Sequence, residues 1–153
     1  MPPVGENVLP MVAPERVGAA MYERDFAAQH LGIELLDIRQ GYACVKMPVA
    51  DYMINGHDIC HGGMIFTLAD TAFAYACNSY NLVALAAAAS VEFLAPARLG
   101  DMLTATANEQ VLSGRKGIYD VVVTDQHDNI IALFRGRSQQ TRGEVVVRQS
   151  NSP

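Results

Sequence analysis

The sequence has few cysteines, no positively charged N-terminal segment and no long apolar segment. Its three cysteines, Cys44, Cys60 and Cys77, form neither an even-numbered disulfide framework nor paired CxxC motifs. We therefore expect a reducing, cytoplasmic compartment. The first residues do not have a positive start followed by an apolar stretch, so no signal peptide is expected. The longest run of low polarity, Leu82 to Ser90, is too short to span a membrane.

Charge is also low, and its sign is unfavourable for nucleic-acid binding. Only 18% of the 153 residues are charged, and the formal net charge is −5. A general nucleic-acid binder would normally present a basic surface, so nucleic acid is not an expected partner. The short apolar run likewise makes a membrane an unexpected partner. Half of the residues are hydrophobic, which excludes a disordered chain and fits one domain with a substantial core. A small anionic ligand held by a few local Arg and Lys side chains remains compatible with this composition.

The chain is predicted to be one domain between two short terminal segments. Residues 1–14 contain four prolines and predict a flexible arm. Residues 15–142 form the predicted domain, and residues 143–153 a loose polar tail. Nothing in the sequence indicates an internal repeat, a linker between two cores or a low-complexity segment.

The hydrophobic pattern predicts two helical regions and six strands. Residues 15–31 have helical spacing, and Gly32 is expected to end that helix in the left-handed conformation. The second helix, Gly62 to Ser79, is apolar nearly all the way round and should be enclosed by other structure. The predicted strands are Ile33–Arg39, Tyr42–Val49, Leu82–Leu94, Asp101–Leu112, Ile118–Thr124 and Ile130–Gln139. This order predicts an α+β fold in which one antiparallel sheet curls around the long helix.

The segment from Asn55 to Gly63 runs directly into this second helix and is the most informative part of the chain. A glycine pair, Gly62-Gly63, opens the helix and leaves backbone N–H groups free to bind an anion. About two turns later Asp70 interrupts an apolar run, where a carboxylate is costly without a partner or a function. Acyl transfer to water needs donors that hold an oxyanion and a base that activates water.

Other interpretations of these residues are open. Asp70 could be a structural carboxylate bound to the backbone or to an arginine, and the glycines could simply allow close helix packing. His57, Cys60 and His61 suggest a metal, but zinc needs three or four ligands and no fourth ligand is evident, so no metal is expected. Cys60 as a nucleophile would lack a separate His–Asp relay. We expect His61 to orient the loop by hydrogen bonds.

The segments around Gly62-Gly63 and Asp70 resemble those of the hotdog-fold thioesterases of the phenylacetate-degradation (PaaI) type. The matching segments are Asn55-Gly56-His57, Cys60-His61-Gly62-Gly63, Leu68 to Ser79 and Ala132 to Ser138, with weaker matches at Val91 to Leu94 and Gly100-Asp101. The resemblance covers about residues 15–142. It implies a hotdog fold, dimers that associate into tetramers, and hydrolysis of aryl-acyl-CoA thioesters such as hydroxyphenylacetyl-CoA without a cofactor.

The same resemblance implies a role for individual residues. In this family the active site lies between two subunits. The Gly62 N–H is expected to bind the thioester carbonyl, Asp70 of the facing subunit to activate water, and Asn55 to position the reacting groups. A related thioesterase branch has a serine before the third strand, but the nearest position here is Ala86, which receives no role.

Basic residues concentrate in the C-terminal third of an otherwise acidic chain. Coenzyme A carries a pyrophosphate and a ribose phosphate, which Arg side chains bind well. Arg115, Arg135 and Arg137 are therefore our candidates for phosphate contacts. The aromatic candidates for an aryl pocket are Tyr22, Phe26 and Tyr80, for which core packing or surface exposure is an equal alternative.

Two other functions compete with thioester hydrolysis. A hydroxyacyl-CoA dehydratase or hydratase on the same fold would use a histidine, here His61, with a carboxylate to remove a proton from carbon. A non-catalytic acyl-CoA sensor would usually be fused to a DNA-binding segment. Residues 1–14 are neither basic enough nor long enough for that segment.

Overall fold

Residues 10–149, which the computed structural model describes, fold into three α-helices and six strands. The elements are α1 (Pro14–Arg24), α2 (Phe26–His30), β1 (Glu34–Arg39), β2 (Tyr42–Pro48), α3 (Gly62–Asn78), β3 (Leu82–Phe93), β4 (Met102–Ser113), β5 (Lys116–Thr124) and β6 (Ile130–Glu144). This is the α+β order that the sequence predicts. Within the described residues, no helix has the length and apolar character that crossing a membrane requires.

The N-terminal helical region is broken, although its spacing predicts one continuous helix. Asp25 separates α1 from α2, and its Oδ1 accepts the Ala28 N–H at 3.1 Å, which caps the start of α2. Gly32 has a φ of +69°, which confirms the predicted left-handed stop. Helical periodicity does not reveal this break because the spacing of apolar residues continues across Asp25.

All six strands form one antiparallel sheet in the order β1-β2-β4-β5-β6-β3. The sheet wraps around α3, which packs against β2, β3, β4, β5 and β6. Leu103, Ala105 and Ala107 of β4 are fully buried, as the alternation in the sequence predicts. Gly136 of β6 permits close packing, because a Cβ there would lie 2.8 Å from the Phe73 ring of α3.

One face of α3 is left partly open. Gly63 is exposed, and Thr67, Asp70 and Ala74 are half-buried at helical spacing along the same side. The remaining sides carry the buried residues of the core. The predicted enclosure of the helix is therefore right for most of its circumference but not for the face that carries Asp70.

The two edges of the sheet differ in character. Edge strand β1 is six residues long, carries Glu34, Asp37 and Arg39, and has an irregular register between Leu35 and Asp37. Edge strand β3 is twelve residues long and alanine-rich, and nine of its residues are exposed. Short, charged or irregular edges resist pairing with another chain, whereas long apolar edges favour it. Of the two edges in residues 10–149, β3 is the longer and more apolar, which makes it better suited to pair with another chain, although its register with β6 shifts at two places.

The regular elements extend slightly beyond the predicted domain limits 15–142 at both ends. Strand β6 continues to Glu144, inside the predicted tail 143–153, and Asn81 exchanges hydrogen bonds of 2.8 and 2.9 Å with the backbone of Val146. Helix α1 begins at Pro14, the last residue of the predicted arm. The rest of the predicted arm and tail, residues 1–9 and 150–153, lies outside the described residues.

Candidate active site

The loop before α3 is fixed by its own hydrogen bonds. The Oδ1 of Asn55 accepts the N–H groups of His57 at 2.9 Å and Ile59 at 3.4 Å, while the Asn55 N–H donates to the Ile59 carbonyl at 2.8 Å. The Cys60 N–H donates to the Ala97 carbonyl at 2.8 Å. Because its oxygen is engaged in this turn, Asn55 keeps its amide N–H groups available as donors.

Helix α3 begins at Gly62 without a side-chain cap. The carbonyl of the preceding residue, His61, accepts the N–H groups of Met64 and Ile65 at 3.0 and 3.3 Å. Among residues 10–149, no acceptor takes the N–H of Gly62 or Gly63. These donors lie at the positive end of the helix dipole, so the helix start is suited to hold a negatively charged oxygen.

A cavity of about 510 Å³ opens beside these donors. It is lined by Asn55, Ile59, Cys60, Gly62, Ile65, Phe93, Leu94, Ala95 and Pro96. A Cβ at position 62 would lie 2.9 to 3.2 Å from the Phe93 ring, so the glycine allows the ring to cover the helix start. Phe93 and Leu94 lie in a stretch of weak family similarity, and no other feature of the sequence marks them as site residues.

Asp70 is a half-buried carboxylate on the partly open face of α3. Within residues 10–149 it accepts no hydrogen bond and has no ion pair, so neither the backbone nor an arginine neutralises it there. Burial raises its pKa, and the nearby Asp25 carboxylate raises it further. A carboxylate with a raised pKa is a stronger base than an exposed one.

A single chain does not bring Asp70 and Gly62 together at one carbonyl. Eight residues of helix separate them, which corresponds to about 12 Å along the axis. Asp70 is also absent from the residues that line the Gly62 cavity. A base that activates water must lie within hydrogen-bond reach of that water, and Gly62 and Asp70 of one chain do not meet this requirement at a single carbonyl.

Within residues 10–149, the His61 imidazole does not make the hydrogen bonds that were predicted to orient the loop. His61 is exposed, and its backbone rather than its imidazole forms the loop's hydrogen bonds, including one of 2.8 Å to the Met53 carbonyl. The buried Cys60 thiol contacts the His61 carbonyl at 3.6 Å, and burial raises its pKa, which disfavours a nucleophilic thiolate. No group of three or more potential metal ligands clusters within residues 10–149.

The three candidate arginines have different surroundings. Arg135 forms a bidentate pair with Asp120 across β5 and β6, with distances of 2.6 and 2.8 Å, and this lowers the pKa of Asp120. Arg137 lies two residues further along β6 on the same outward face, and no acidic side chain of the described residues pairs with it. Arg115 is exposed in the β4–β5 turn.

The aromatic candidates lie away from the Gly62 cavity. The hydroxyl of Tyr22 donates to the Ile33 carbonyl at 2.7 Å, Phe26 is 74% exposed, and the hydroxyl of Tyr80 donates to Glu109 at 3.0 Å. The aromatic ring that lines the cavity is Phe93.

Several known proteins resemble this chain in both sequence and fold. A family model described as the thioesterase superfamily matches residues 57–132. The acyl-coenzyme A thioesterase PaaI of Escherichia coli is 48% identical over 126 residues, which cover 82% of this chain and 90% of that protein. The structure of E. coli PaaI, from the phenylacetic acid degradation operon, matches with a TM-score of 0.85 at 46% identity, covering 86% of this chain and 95% of that chain.

Two more solved structures extend the comparison. A mutant of the phenylacetic acid degradation protein PaaI from Thermus thermophilus matches at 32% identity with a TM-score of 0.74, covering 76% of this chain and all of that chain (100%). A Streptococcus mutans protein bound to acetyl-CoA matches at 26% identity with a TM-score of 0.70, covering 73% of this chain and 90% of that chain. The present chain belongs to the thioesterase superfamily and is a hotdog-fold thioesterase of the PaaI type.

Proposed function

We propose that this thioesterase hydrolyses aryl-acyl-CoA thioesters of the phenylacetyl or hydroxyphenylacetyl type to the free acid and CoA. The observation that carries this proposal is the pair of N–H groups at Gly62 and Gly63, which no acceptor among residues 10–149 takes and which lie beside a cavity of about 510 Å³. The name of E. coli PaaI and the acetyl-CoA bound to the S. mutans neighbour support a CoA ester as substrate. The operon of E. coli PaaI supports an aryl group.

The proposed reaction uses water and protein groups alone, without a metal or cofactor. Asp70 takes a proton from water while the water oxygen adds to the thioester carbon, and the carbonyl oxygen becomes an oxyanion held by the Gly62 N–H. Collapse of this intermediate breaks the C–S bond and releases CoA as a thiolate, which takes up a proton. In the alternative route Asp70 attacks the carbonyl directly, forming an anhydride that water then opens. The free thiols of Cys44, Cys60 and Cys77 support a reducing, cytoplasmic setting for the enzyme.

We also propose that each site is shared between two subunits. The separation of Gly62 and Asp70 by about 12 Å of helix favours a site in which each comes from a different copy. The long apolar edge of β3 favours a second copy as the pairing partner. Such dimers are expected to associate further into tetramers.

Substrate turnover tests the proposed function. The free thiol released from phenylacetyl-, hydroxyphenylacetyl-, benzoyl- and straight-chain acyl-CoA esters should be measured at equal concentrations, and aryl-acetyl esters are expected to give the highest kcat/KM. A preference for straight-chain esters would contradict the aryl assignment. Binding without thiol release would support a sensor, and loss of enoyl-CoA absorbance would support a hydratase.

Among the arginines, we expect Arg137 to contact the CoA phosphates more strongly than Arg135, because the guanidinium of Arg135 already forms an ion pair with Asp120. Replacing Arg137 with Ala should raise KM for CoA esters roughly two- to fivefold, the range expected for an exposed ion pair. The effect should shrink at high salt and be absent for a short pantetheine thioester, which has no ribose phosphate. Steady-state kinetics on both substrates measures this.

Arg39 is the control for that experiment, because it is an exposed arginine, paired with Asp37, on edge strand β1, which lies four strands away from β6 in the sheet. Arg39→Ala should leave KM unchanged. An equal loss of kcat/KM for the CoA ester and the pantetheine thioester in the Arg137 variant would indicate damage to the fold. That result would contradict the assignment of Arg137 as a phosphate contact.

A further inference from the structure

One polar side chain, that of Thr67, neighbours Asp70 on the surface of α3. Residues three and four positions apart on a helix are surface neighbours, with Cβ atoms about 5–6 Å apart. For Asp70 these neighbours on α3 are Phe66, Thr67, Phe73 and Ala74, and of the four only Thr67 carries a polar side-chain group. Thr67 and Asp70 are both half-buried on the partly open face of the helix. Thr67 is therefore placed to share a polar ligand with Asp70.

Helix geometry brings the two side chains toward the same point. Side chains of a helix lean back toward its N-terminus and cover the turn before their own Cα atom. The carboxylate of Asp70 therefore leans over the turn that carries Thr67. Within residues 10–149 no hydrogen bond joins the two side chains, since the Thr67 hydroxyl bonds the Gly63 carbonyl instead. A Cβ separation of about 5–6 Å lets one water molecule bond to both groups.

The hydroxyl of Thr67 can only accept a further hydrogen bond. Its single proton is donated to the Gly63 carbonyl, and Oγ1 lies 2.9 Å from that oxygen. The neighbouring Thr71 hydroxyl donates to the backbone carbonyl of Thr67 at 2.6 Å and not to its side chain. Oγ1 of Thr67 thus offers an acceptor beside the carboxylate of Asp70. Two acceptors side by side match the two O–H groups of one water molecule.

We propose that Thr67 is a catalytic residue that, together with Asp70, holds and orients the water that attacks the thioester. The inference rests on the proposed function, in which Asp70 takes a proton from water. One O–H of the water donates to the carboxylate and the other to Thr67 Oγ1, so a lone pair of the water oxygen faces the thioester carbon. As the new C–O bond forms, the first proton passes to Asp70 and the second stays on the acyl product. The C–S bond then breaks and CoA leaves as a thiolate.

Thr67→Val tests the proposal, because valine keeps the branched shape and removes only the hydroxyl. We expect kcat to fall roughly five- to fiftyfold, the range for an O–H that loses its acceptor in a site covered by the substrate. KM should change little, since Thr67 contacts the water and not the CoA ester. Thr67→Ser keeps the oxygen and should retain most of the wild-type kcat. Thiol release at saturating substrate measures both variants.

Thr71→Val is the matched control for this substitution. Thr71 makes the same kind of intrahelical hydroxyl bond, to the Thr67 carbonyl, but its side chain is buried on the core-facing side of α3. Thr71→Val therefore removes a comparable bond without removing an acceptor from the open face. Its kcat should stay close to that of the wild type.

A second nucleophile separates the orientation of water from a structural role. Methanol has one O–H, which can donate to Asp70, so it does not need the acceptor at Thr67. When its oxygen adds to the thioester carbon and its proton passes to Asp70, the product is a methyl ester instead of the acid. In dilute methanol, the ratio of methyl ester to acid should rise in Thr67→Val and keep its wild-type value in Thr67→Ser and Thr71→Val. This ratio does not depend on the amount of folded enzyme.

A wild-type kcat in Thr67→Val would overturn the proposal. An unchanged product ratio in that variant, or an equal loss of kcat in Thr67→Ser, would also overturn it. Failure of the proposed function gives a different result, because Asp70→Asn would then retain normal thiol release. If the inference about Thr67 alone is wrong, Asp70→Asn is impaired while Thr67→Val is not.

Discussion

Asp70→Asn is expected to lower kcat by roughly 10²–10⁴-fold, the usual contribution of a general base. Asn keeps the shape of the side chain but cannot take a proton from water at neutral pH. KM should change little, because the phosphates and the pantetheine arm of the substrate supply most of the binding. Thiol release under saturating substrate measures the change in kcat.

The stability of the same variant should hold or increase. Burial and Asp25 raise the pKa of Asp70 in the folded state, so the folded protein disfavours the ionised form. This destabilisation is fully present at a pH above the raised pKa of the folded state. It disappears as the pH falls through that pKa and then below the pKa of Asp70 in the unfolded chain. The gain from Asp70→Asn should therefore appear at neutral pH and vanish in acid. A less stable protein with near-normal turnover per folded molecule would instead indicate a structural carboxylate.

Gly62→Pro is expected to lower kcat by roughly 10²–10³-fold, the usual cost of losing one oxyanion donor. Proline has no N–H, yet it is favoured at the first position of a helix. The preceding residue, His61, has φ −54° and ψ 135°, which a following proline permits. The substitution therefore removes the donor while keeping a helix that begins at residue 62.

Gly62→Ala is the matched control for this prediction. Both variants place a Cβ against the Phe93 ring, at 2.9 Å from its nearest carbon, and the ring is 52% exposed and can move. Only the proline variant loses the N–H. Equal losses of kcat in the two variants would mean that crowding by the Cβ, and not the missing N–H donor, impairs the enzyme.

Local pattern was sufficient to predict the parts of the fold that depend on neighbouring residues. Helix α3 was predicted to within one residue because its apolar run is continuous and begins at a glycine pair. The hairpin of β1 and β2 followed from alternation on both sides of Gly41, which has a φ of +73°. The free N–H groups at Gly62 also follow from local chemistry, since the start of any helix leaves donors unpaired.

Features that depend on distant pairing were not predictable in the same way. Arg135 meets Asp120 only through the register of β5 and β6, so the sequence did not reveal that this arginine is occupied. The Asp25 cap interrupts a helical pattern without changing its periodicity, and its bond to Tyr75 joins residues fifty positions apart. Phe93 reaches the Gly62 cavity because β3 ends beside the start of α3.

The shared site is tested most directly by heterodimers made from one Asp70→Asn subunit and one Gly62→Pro subunit, purified with two different tags. In each heterodimer one site combines an intact Gly62 with an intact Asp70 and the other has neither. Two-fold symmetry then predicts about half of the wild-type kcat per dimer, far above either parent variant. Heterodimers that assemble and fold but stay as inactive as the parents would contradict a site built from Gly62 of one subunit and Asp70 of another.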